Sequence, residues 1–122
     1  MSAFDVIIYH NPKCKTSRDV LFSIQSMGFE PHIIEYLKTP PSVKMLLLLA
    51  ARADVNIRDF LRTKEEEYKT LNLEDPNLSD EDIALIMHNN PILINRPLVI
   101  TPNGVKLCRP VEALADLLIQ DA

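Results

Sequence analysis

The sequence has little of what marks exported, membrane-spanning or repetitive proteins. It contains two cysteines and two glycines, too few for a disulfide scaffold or a glycine-rich linker. Its longest apolar run, residues 45–51, is far shorter than the roughly 20 residues that a membrane-spanning helix needs. No export signal is visible at the first apolar stretch. We therefore expect a cytoplasmic protein with reduced thiols and no membrane partner.

An excess of basic residues is also lacking. The chain has 17 acidic residues against 13 lysines and arginines, a net charge of -4, which argues against a surface built to hold nucleic acid. A length of 122 residues with 47% hydrophobic residues suits one globular core. We expect residues 1–122 to form a single domain and a monomer.

The first third of the chain shows the order strand, helix, strand. Residues 4–9 are β-branched and aromatic and precede a loop signal, which predicts a buried strand. Apolar residues at helical spacing predict a helix over residues 16–27, ended by Gly28. Residues 32–37, bounded by turn residues, predict a second strand. This order implies that the two strands pair in parallel.

A helical block is predicted over about residues 42–90. Ser42 can cap its first helix, residues 56–59 open another, and residues 79–82 place acidic side chains in a first turn. Beyond it, Asn103-Gly104 between two apolar runs predicts a β-hairpin, and a last helix starts at Pro110. The fold class is therefore α/β, a thioredoxin-like mixed sheet in the order β-α-β … β-β-α with an inserted helical block. The Arg96-Pro97 bond stands where thioredoxin-like folds have a cis-proline.

Cys14 lies in the loop between the first strand and the first helix. At a helix N-terminus, unpaired N–H groups and the helix dipole favour a thiolate, and Thr16 and Ser17 offer groups that hold an anion beside it. Further positive charge is available from Lys13, Lys15, Arg18 and His10. We interpret Cys14 as an activated nucleophile; the alternative is a buried, inert cysteine.

A second thiol and a metal are less well supported by the sequence. Ser17 stands where a Cys-x-x-Cys motif would have its second cysteine, so Cys108 is the only internal redox partner, unless it is a half-buried strand residue. A C-x5-R loop of the phosphatase type would need an arginine at position 20, where this chain has Val20. Zinc-ligand spacing is missing among Cys14, Cys108, His10, His32 and His88.

Three arginines are candidates for an oxyanion site, because a guanidinium group offers a fixed fork of donors. They are Arg62, Arg96 and Arg109, the last two each followed by proline. For each of them the alternative is a solvated surface residue.

Four motifs together identify a family. The sequence YHNPKCKTSR at residues 9–18, PILINRP at 91–97, LCRP at 107–110 and FLR at 60–62 resembles the glutaredoxin-dependent arsenate reductases, over essentially the whole chain. The resemblance implies that Cys14 is the nucleophile, that His10 influences its thiolate and that Ser17 hydrogen-bonds the sulfur. It also implies an arsenic oxyanion held by Arg62, Arg96 and Arg109.

The resemblance implies a mechanism as well. The Cys14 thiolate displaces water from arsenate, glutathione attacks the adduct, and a glutaredoxin clears the mixed disulfide as arsenite leaves. Glutathione is then a co-substrate, and the resemblance implies no metal and no tightly bound cofactor.

Two other functions stay open. A redox regulator of the Spx type, which binds RNA polymerase, shares this fold but is expected to carry Cys-x-x-Cys, which Ser17 interrupts. A glutathione-linked thiol oxidoreductase with another substrate also fits, because an arginine cluster suits other oxyanions and the carboxylates of glutathione.

Overall fold

The computed structural model describes residues 6–118, which form two compact units. One unit combines the described residues up to Thr39 with those from Arg96 onward, and the other is Pro40–Asn95. The second unit contains the helical block expected at about residues 42–90. That the whole chain is one domain with this insertion remains a prediction. No helix among residues 6–118 has both the length and the apolar character required to cross a membrane.

The first unit is built on a four-stranded mixed sheet in the order β2-β1-β3-β4. Its strands are β1 (Ile7–His10), β2 (His32–Glu35), β3 (Leu98–Thr101) and β4 (Gly104–Leu107). Strand β1 pairs in parallel with β2 and antiparallel with β3, and β3 pairs antiparallel with β4. The predicted crossover and hairpin are therefore confirmed. Strand β2 is shorter than predicted, and Phe4 and Asp5 of the predicted first strand lie outside the described residues.

Helix α1 (Lys15–Ser26) connects β1 to β2. Val20 and Ile24 lie one turn apart on its buried face, as the spacing predicts. Gly28 follows the helix with φ +90°, a conformation that favours glycine at a helix end. Met27, which the sequence pattern places on the apolar face, is instead the C-cap residue and is exposed.

The last helical segment differs from the prediction. Residues Val111–Asp116 form a 3-10 helix rather than an α-helix. A 3-10 helix repeats every three residues, so Val111, Leu114 and Leu117 share one face in either form. That face joins the core of the first unit, which includes Val6, Ile8, Val20, Ile24, Phe29, Val99 and Cys108. The apolar spacing alone therefore fits both kinds of helix.

The second unit is helical in several short pieces, not throughout. It contains α2 (Val43–Ala53), α3 (Glu66–Thr70) and α4 (Asp80–Asn89), with 3-10 turns at Ile57–Phe60 and Pro91–Leu93. The predicted cap at Ser42 is confirmed, since its side chain accepts the N–H of Met45. Asn56 also accepts a backbone N–H, and Ser79 forms a capping box with Asp82. Leu61 leaves the helical pattern to make a β-bridge with Ile94.

Arg58 hydrogen-bonds the backbone of the segment 73–75 in this second unit. Its guanidinium donates to the backbone carbonyls of Leu73 and Asp75, at 2.6 and 2.7 Å. Hydrogen bonds from a charged donor contribute more than neutral ones, about 1.5–3 kcal/mol each.

We therefore expect Arg58→Ala to lower the free energy of unfolding by about 1–3 kcal/mol, measured by urea denaturation. Lys64→Ala, which removes an exposed cation of the same unit, serves as the control and is expected to change stability by less than about 0.5 kcal/mol. Equal unfolding midpoints for the two variants would show that the Arg58 contacts add no stability.

Candidate active site

Cys14 is the N-cap residue of α1, as the sequence predicts. Its backbone is extended, with φ -97° and ψ 123°. Its N–H donates to the carbonyl of Asn11 at 3.0 Å, and its own carbonyl accepts the N–H of Arg18 at 3.0 Å. The side chain is 9% exposed. The loop and the first helical turn therefore hold the sulfur at the end of the helix where backbone N–H groups have no helical partner.

The sheet brings two of the three candidate arginines to this sulfur. Because β1 and β3 are antiparallel, the loop after β1 lies near the start of β3, and the β3–β4 hairpin returns the chain to the same end. Arg96 precedes β3 and Arg109 follows β4. Arg109 Nη1 lies 3.6 Å from Cys14 Sγ and donates to the Arg96 carbonyl at 3.1 Å. Both Arg-Pro peptide bonds are cis.

The charge state of Cys14 follows from these contacts. Burial by itself raises the pKa of the Cys14 thiol, but the Ser17 backbone N–H, the Arg109 hydrogen bond and the charge and hydrogen bond of Arg96 lower it further than burial raises it. An N–H donor directed at the sulfur favours the ionised form of the thiol over the neutral form. The net pKa lies below that of an ordinary thiol, which is the property expected of a nucleophilic cysteine.

The hydrogen bond from Ser17 to the Cys14 sulfur that the resemblance implies comes from the backbone N–H of Ser17. Its hydroxyl is fully buried and lies 2.6 Å from His10 Nδ1, and it accepts the N–H of Asn11 at 3.1 Å. It is thus the backbone N–H of Ser17, not its hydroxyl, that bears on the sulfur. Burial is the main cause that lowers the pKa of His10, Arg18 adds to it and Glu35 opposes it. His10 therefore adds little positive charge at neutral pH, contrary to the sequence interpretation.

The cations that flank Cys14 in sequence are not those that lower its pKa. Lys13, Lys15 and Arg18 are exposed. Lys15 pairs with Asp19 at 2.8 Å, and Arg18 donates to the Pro12 carbonyl at 2.9 Å. Lys15 and Arg18 thus contact other groups, whereas Arg96 and Arg109 hydrogen-bond the Cys14 sulfur directly.

The other two candidate anion-binding residues are placed as follows. Thr16 lies in the first turn of α1 and is half-buried. Arg62 belongs to the Pro40–Asn95 unit. Its guanidinium pairs with the Glu65 carboxylate at 2.8 Å, and its backbone N–H donates to the Leu93 carbonyl at 2.8 Å. A role for either residue in substrate binding remains a prediction.

Cys108 is a core residue. It is 0% exposed and packs among the apolar side chains of the core of the first unit. Burial raises the pKa of its thiol to about 12, and the charge of Lys106 lowers that pKa by a smaller amount. A thiol in such surroundings is inert. Cys108 is thus neither half-buried nor within a strand, as the plainer sequence interpretation had it, but a fully buried core thiol directly after β4. Among residues 6–118, no three His, Cys, Asp or Glu side chains come together as a metal site.

The two thiols should be separable by alkylation. We expect iodoacetamide to modify one thiol per native chain at pH 7, namely Cys14, because its pKa is lowered and it keeps 9% exposure, whereas Cys108 is 0% exposed and has a raised pKa. The rate of this reaction should reach its plateau at a lower pH than that of a free thiol, since the Cys14 pKa is lowered. Mass spectrometry counts the labels, and protein unfolded in urea, the control, should take up two. Two labels on the native protein would contradict the burial of Cys108.

The sequence marks Asn11 only as a loop signal before Pro12, but the structure makes it the centre of the Cys14 loop. Its side-chain Oδ1 accepts the N–H of Lys13 at 3.0 Å, and its Nδ2 donates to the Tyr36 hydroxyl at 3.4 Å. An asparagine that bonds the N–H two residues on is a local signal that sequence can suggest. The partner at Tyr36 is 25 residues away and is set by the sheet.

Comparison with known proteins agrees with this geometry. Residues 9–117 match the sequence model of the ArsC family. The chain belongs to the ArsC family. Its similarity to individual members is high: an arsenate reductase of Rhizobium meliloti (strain 1021) is 47% identical over 113 residues, which are 93% of this chain and 81% of that protein. An arsenate reductase of Escherichia coli is 46% identical over 114 residues, again 93% and 81% of the two chains.

Solved structures of ArsC proteins support the fold. An arsenate reductase from Vibrio cholerae superposes with a TM-score of 0.92 at 42% identity, covering 96% of this chain and all of that one. A second structure, described as a putative arsenate reductase from Yersinia pestis, gives a TM-score of 0.87 at 42% identity and covers 92% and 99%. The thioredoxin-like α/β fold predicted from the element order is thus confirmed.

Proposed function

We propose that this ArsC protein reduces arsenate to arsenite, with the Cys14 sulfur as nucleophile. The observation that carries the proposal is a thiol of lowered pKa held 3.6 Å from the Arg109 guanidinium, in a chain 47% identical to an arsenate reductase. A thiolate beside a guanidinium supplies both requirements of the first step, a nucleophile for arsenic and a counter-charge for the oxyanion.

Arg109 and Arg96 overcome the main obstacle to that step. Arsenate is an anion, and it must approach a sulfur that is itself negatively charged. A guanidinium that contacts the sulfur and stays charged near neutral pH offsets this repulsion, and its fork of donors fits the oxygens of the anion. The sulfur then bonds to arsenic, and one arsenate oxygen leaves as water after protonation. Thr16 and Arg62 are proposed as further anion-binding residues of the site.

His10 and Ser17 are proposed to support the nucleophile indirectly. The short His10–Ser17 contact and the Asn11 N–H fix the Ser17 side chain inside the protein. The Ser17 backbone N–H is thereby kept on the side of α1 that faces the sulfur. The expected contribution of His10 is to hold this arrangement rather than to add charge.

The second electron donor must come from outside the chain. Conversion of As(V) to As(III) takes two electrons, and two thiols supply them when they are joined as one disulfide. Cys108 is the only other cysteine of the sequence, and it is buried with a pKa of about 12. We therefore assign the second thiol to glutathione. Its sulfur bonds to the Cys14 sulfur of the adduct, the S–As bond breaks with its electron pair left on arsenic, and arsenite leaves. The reduction of the resulting mixed disulfide is assigned to a glutaredoxin.

The same requirement favours a cytoplasmic location, because a free nucleophilic thiol and a glutathione pool that restores it persist in a reducing compartment.

The proposal is tested by mixing purified protein, glutathione and glutaredoxin and following glutathione oxidation after arsenate is added. We expect oxidation that depends on arsenate and yields one arsenite for each glutathione disulfide formed, that is, for every two glutathione molecules consumed. Phosphate and sulfate, which have similar shape but resist two-electron reduction by thiols, are the matched controls and should give no oxidation. Glutathione oxidation that proceeds equally without arsenate would point instead to a thiol oxidoreductase with another substrate.

A further inference from the structure

The loop that carries Cys14 is closed by hydrogen bonds from a single residue, Asn11. Its carbonyl accepts the N–H of Cys14 at 3.0 Å, and its side-chain Oδ1 accepts the N–H of Lys13 at 3.0 Å. Its own N–H donates to Ser17 Oγ at 3.1 Å. Three of the four polar groups of Asn11 are therefore bonded within the segment 11–17, which includes the nucleophile and the first turn of α1.

The fourth polar group ties this segment to the sheet. Asn11 Nδ2 donates to the hydroxyl of Tyr36 at 3.4 Å. Tyr36 follows directly after β2 and is 0% exposed, one of the largest fully buried side chains of the protein. Since β2 pairs in parallel with β1, in register from Ile7↔His32 to His10↔Glu35, Tyr36 is a fixed point next to the residue that follows β1.

These bonds act on the position of the sulfur. The Cys14 side chain gains its stabilising contacts only while it lies at the end of α1, near the Ser17 N–H and the guanidinium groups of Arg96 and Arg109. The loop between β1 and α1 has few residues, and Pro12 and Lys13 within it are exposed. A loop of this kind samples other conformations unless local hydrogen bonds select one.

We propose that Asn11 is a positioning residue for the reaction: anchored on the buried Tyr36 hydroxyl, its side chain holds the 11–14 loop so that the Cys14 sulfur stays between the Ser17 N–H and Arg109. Asn11 does not touch the substrate in this assignment and acts through Cys14. The assignment rests on the proposed function only for its effect on turnover, because its effect on the thiol is measured without arsenate.

The test measures the pH profile of Cys14 alkylation by iodoacetamide. For Asn11→Ala we expect the midpoint of the profile to move to higher pH and the rate at pH 7 to fall about threefold to tenfold, the size expected for loss of one or two hydrogen bonds. The groups that face the sulfur, Arg96, Arg109 and the Ser17 N–H, are all retained in this variant. A shifted midpoint therefore reports that the sulfur has moved away from them.

Asn56→Ala is the matched control. Asn56 Oδ1 accepts the N–H of Arg58 at 2.9 Å, the same bond two residues along the chain that Asn11 makes to Lys13, but in the helical unit. We expect Asn56→Ala to lower the midpoint of thermal unfolding about as much as Asn11→Ala does. We expect it to leave the pH profile of Cys14 alkylation unchanged. Equal alkylation profiles for the wild type and Asn11→Ala would overturn the proposal, as would an equal shift in the control.

Two milder variants test the anchor and remain informative if Asn11→Ala folds poorly. Tyr36→Phe removes the hydroxyl that accepts from Asn11 and keeps the ring, and Asn11→Ser keeps a short acceptor for the Lys13 N–H but loses the donor to Tyr36. We expect both to shift the midpoint in the same direction, by less than Asn11→Ala, and the double variant to equal either one alone. Additive shifts, or no shift in either, would show that Tyr36 does not act through Asn11.

Turnover separates this proposal from the proposed function. If the wild type reduces arsenate, Asn11→Ala should lower kcat in proportion to its lost thiolate at pH 7. If the wild type does not reduce arsenate but the alkylation shifts appear as described, the positioning role stands and only the substrate is wrong.

Discussion

Replacing Cys14 by serine lowers arsenate-dependent turnover by about 10³-fold or more, the largest effect we expect from any single substitution. A serine hydroxyl is not ionised near neutral pH, so the Ser17 N–H, Arg96 and Arg109 have no anion to stabilise. It also cannot form the disulfide through which two thiols deliver two electrons. The rate of glutathione oxidation after addition of arsenate measures this loss.

Cys108→Ala is the control for the first prediction, because it removes the other thiol and keeps Cys14. We expect at least half of the activity to remain, together with a modest loss of stability from the small cavity, about 1 kcal/mol. Retention of full turnover by Cys14→Ser would refute the assignment of the nucleophile. Loss of turnover in a well-folded Cys108→Ala protein would instead place Cys108 in the reaction.

Removing the Arg109 side chain should give the second largest effect. We expect Arg109→Ala to reduce kcat/KM for arsenate by about 10²-fold, because it takes away the donor 3.6 Å from the Cys14 sulfur and a counter-charge for the oxyanion. The pKa of Cys14 should rise at the same time, seen as a shift of the alkylation profile to higher pH. Stability should change little, since Arg109 is exposed.

Lys15→Ala is the matched control for Arg109→Ala, as it also removes an exposed cation close to Cys14. Lys15 pairs with Asp19 and not with the sulfur, so we expect less than about a twofold change in turnover. A loss in Lys15→Ala as large as that in Arg109→Ala would mean that general positive charge, not a directed donor, activates the thiol. Unfolding of Arg109→Ala at a much lower urea concentration would make its role structural.

The fold is largely predictable because its signals are local. The β-branched run before Cys14, the helical spacing of Val20 and Ile24, Gly28 after the helix and Asn103-Gly104 in the hairpin each report the conformation of a few neighbouring residues. Their order leaves few topologies, since strands joined by a helix pair in parallel and strands joined by a tight turn pair antiparallel. The last helix shows the limit of this reasoning, because spacing of three residues fits an α-helix and a 3-10 helix alike.

The candidate site is predictable in its residue types but not in its contacts. The sequence by itself determined a cysteine at the start of a helix, a hairpin with an Arg-Pro pair at each end, and the absence of a Cys-x-x-Cys motif. Only the tertiary structure decided that Arg109, 95 residues from Cys14, donates to its sulfur while the neighbouring lysines point to solvent. Tertiary structure likewise buries Cys108 and turns the Ser17 hydroxyl to His10. The physical reason is that pKa values and hydrogen bonds depend on distance and burial in space, and sequence spacing fixes these only within a turn or a helix.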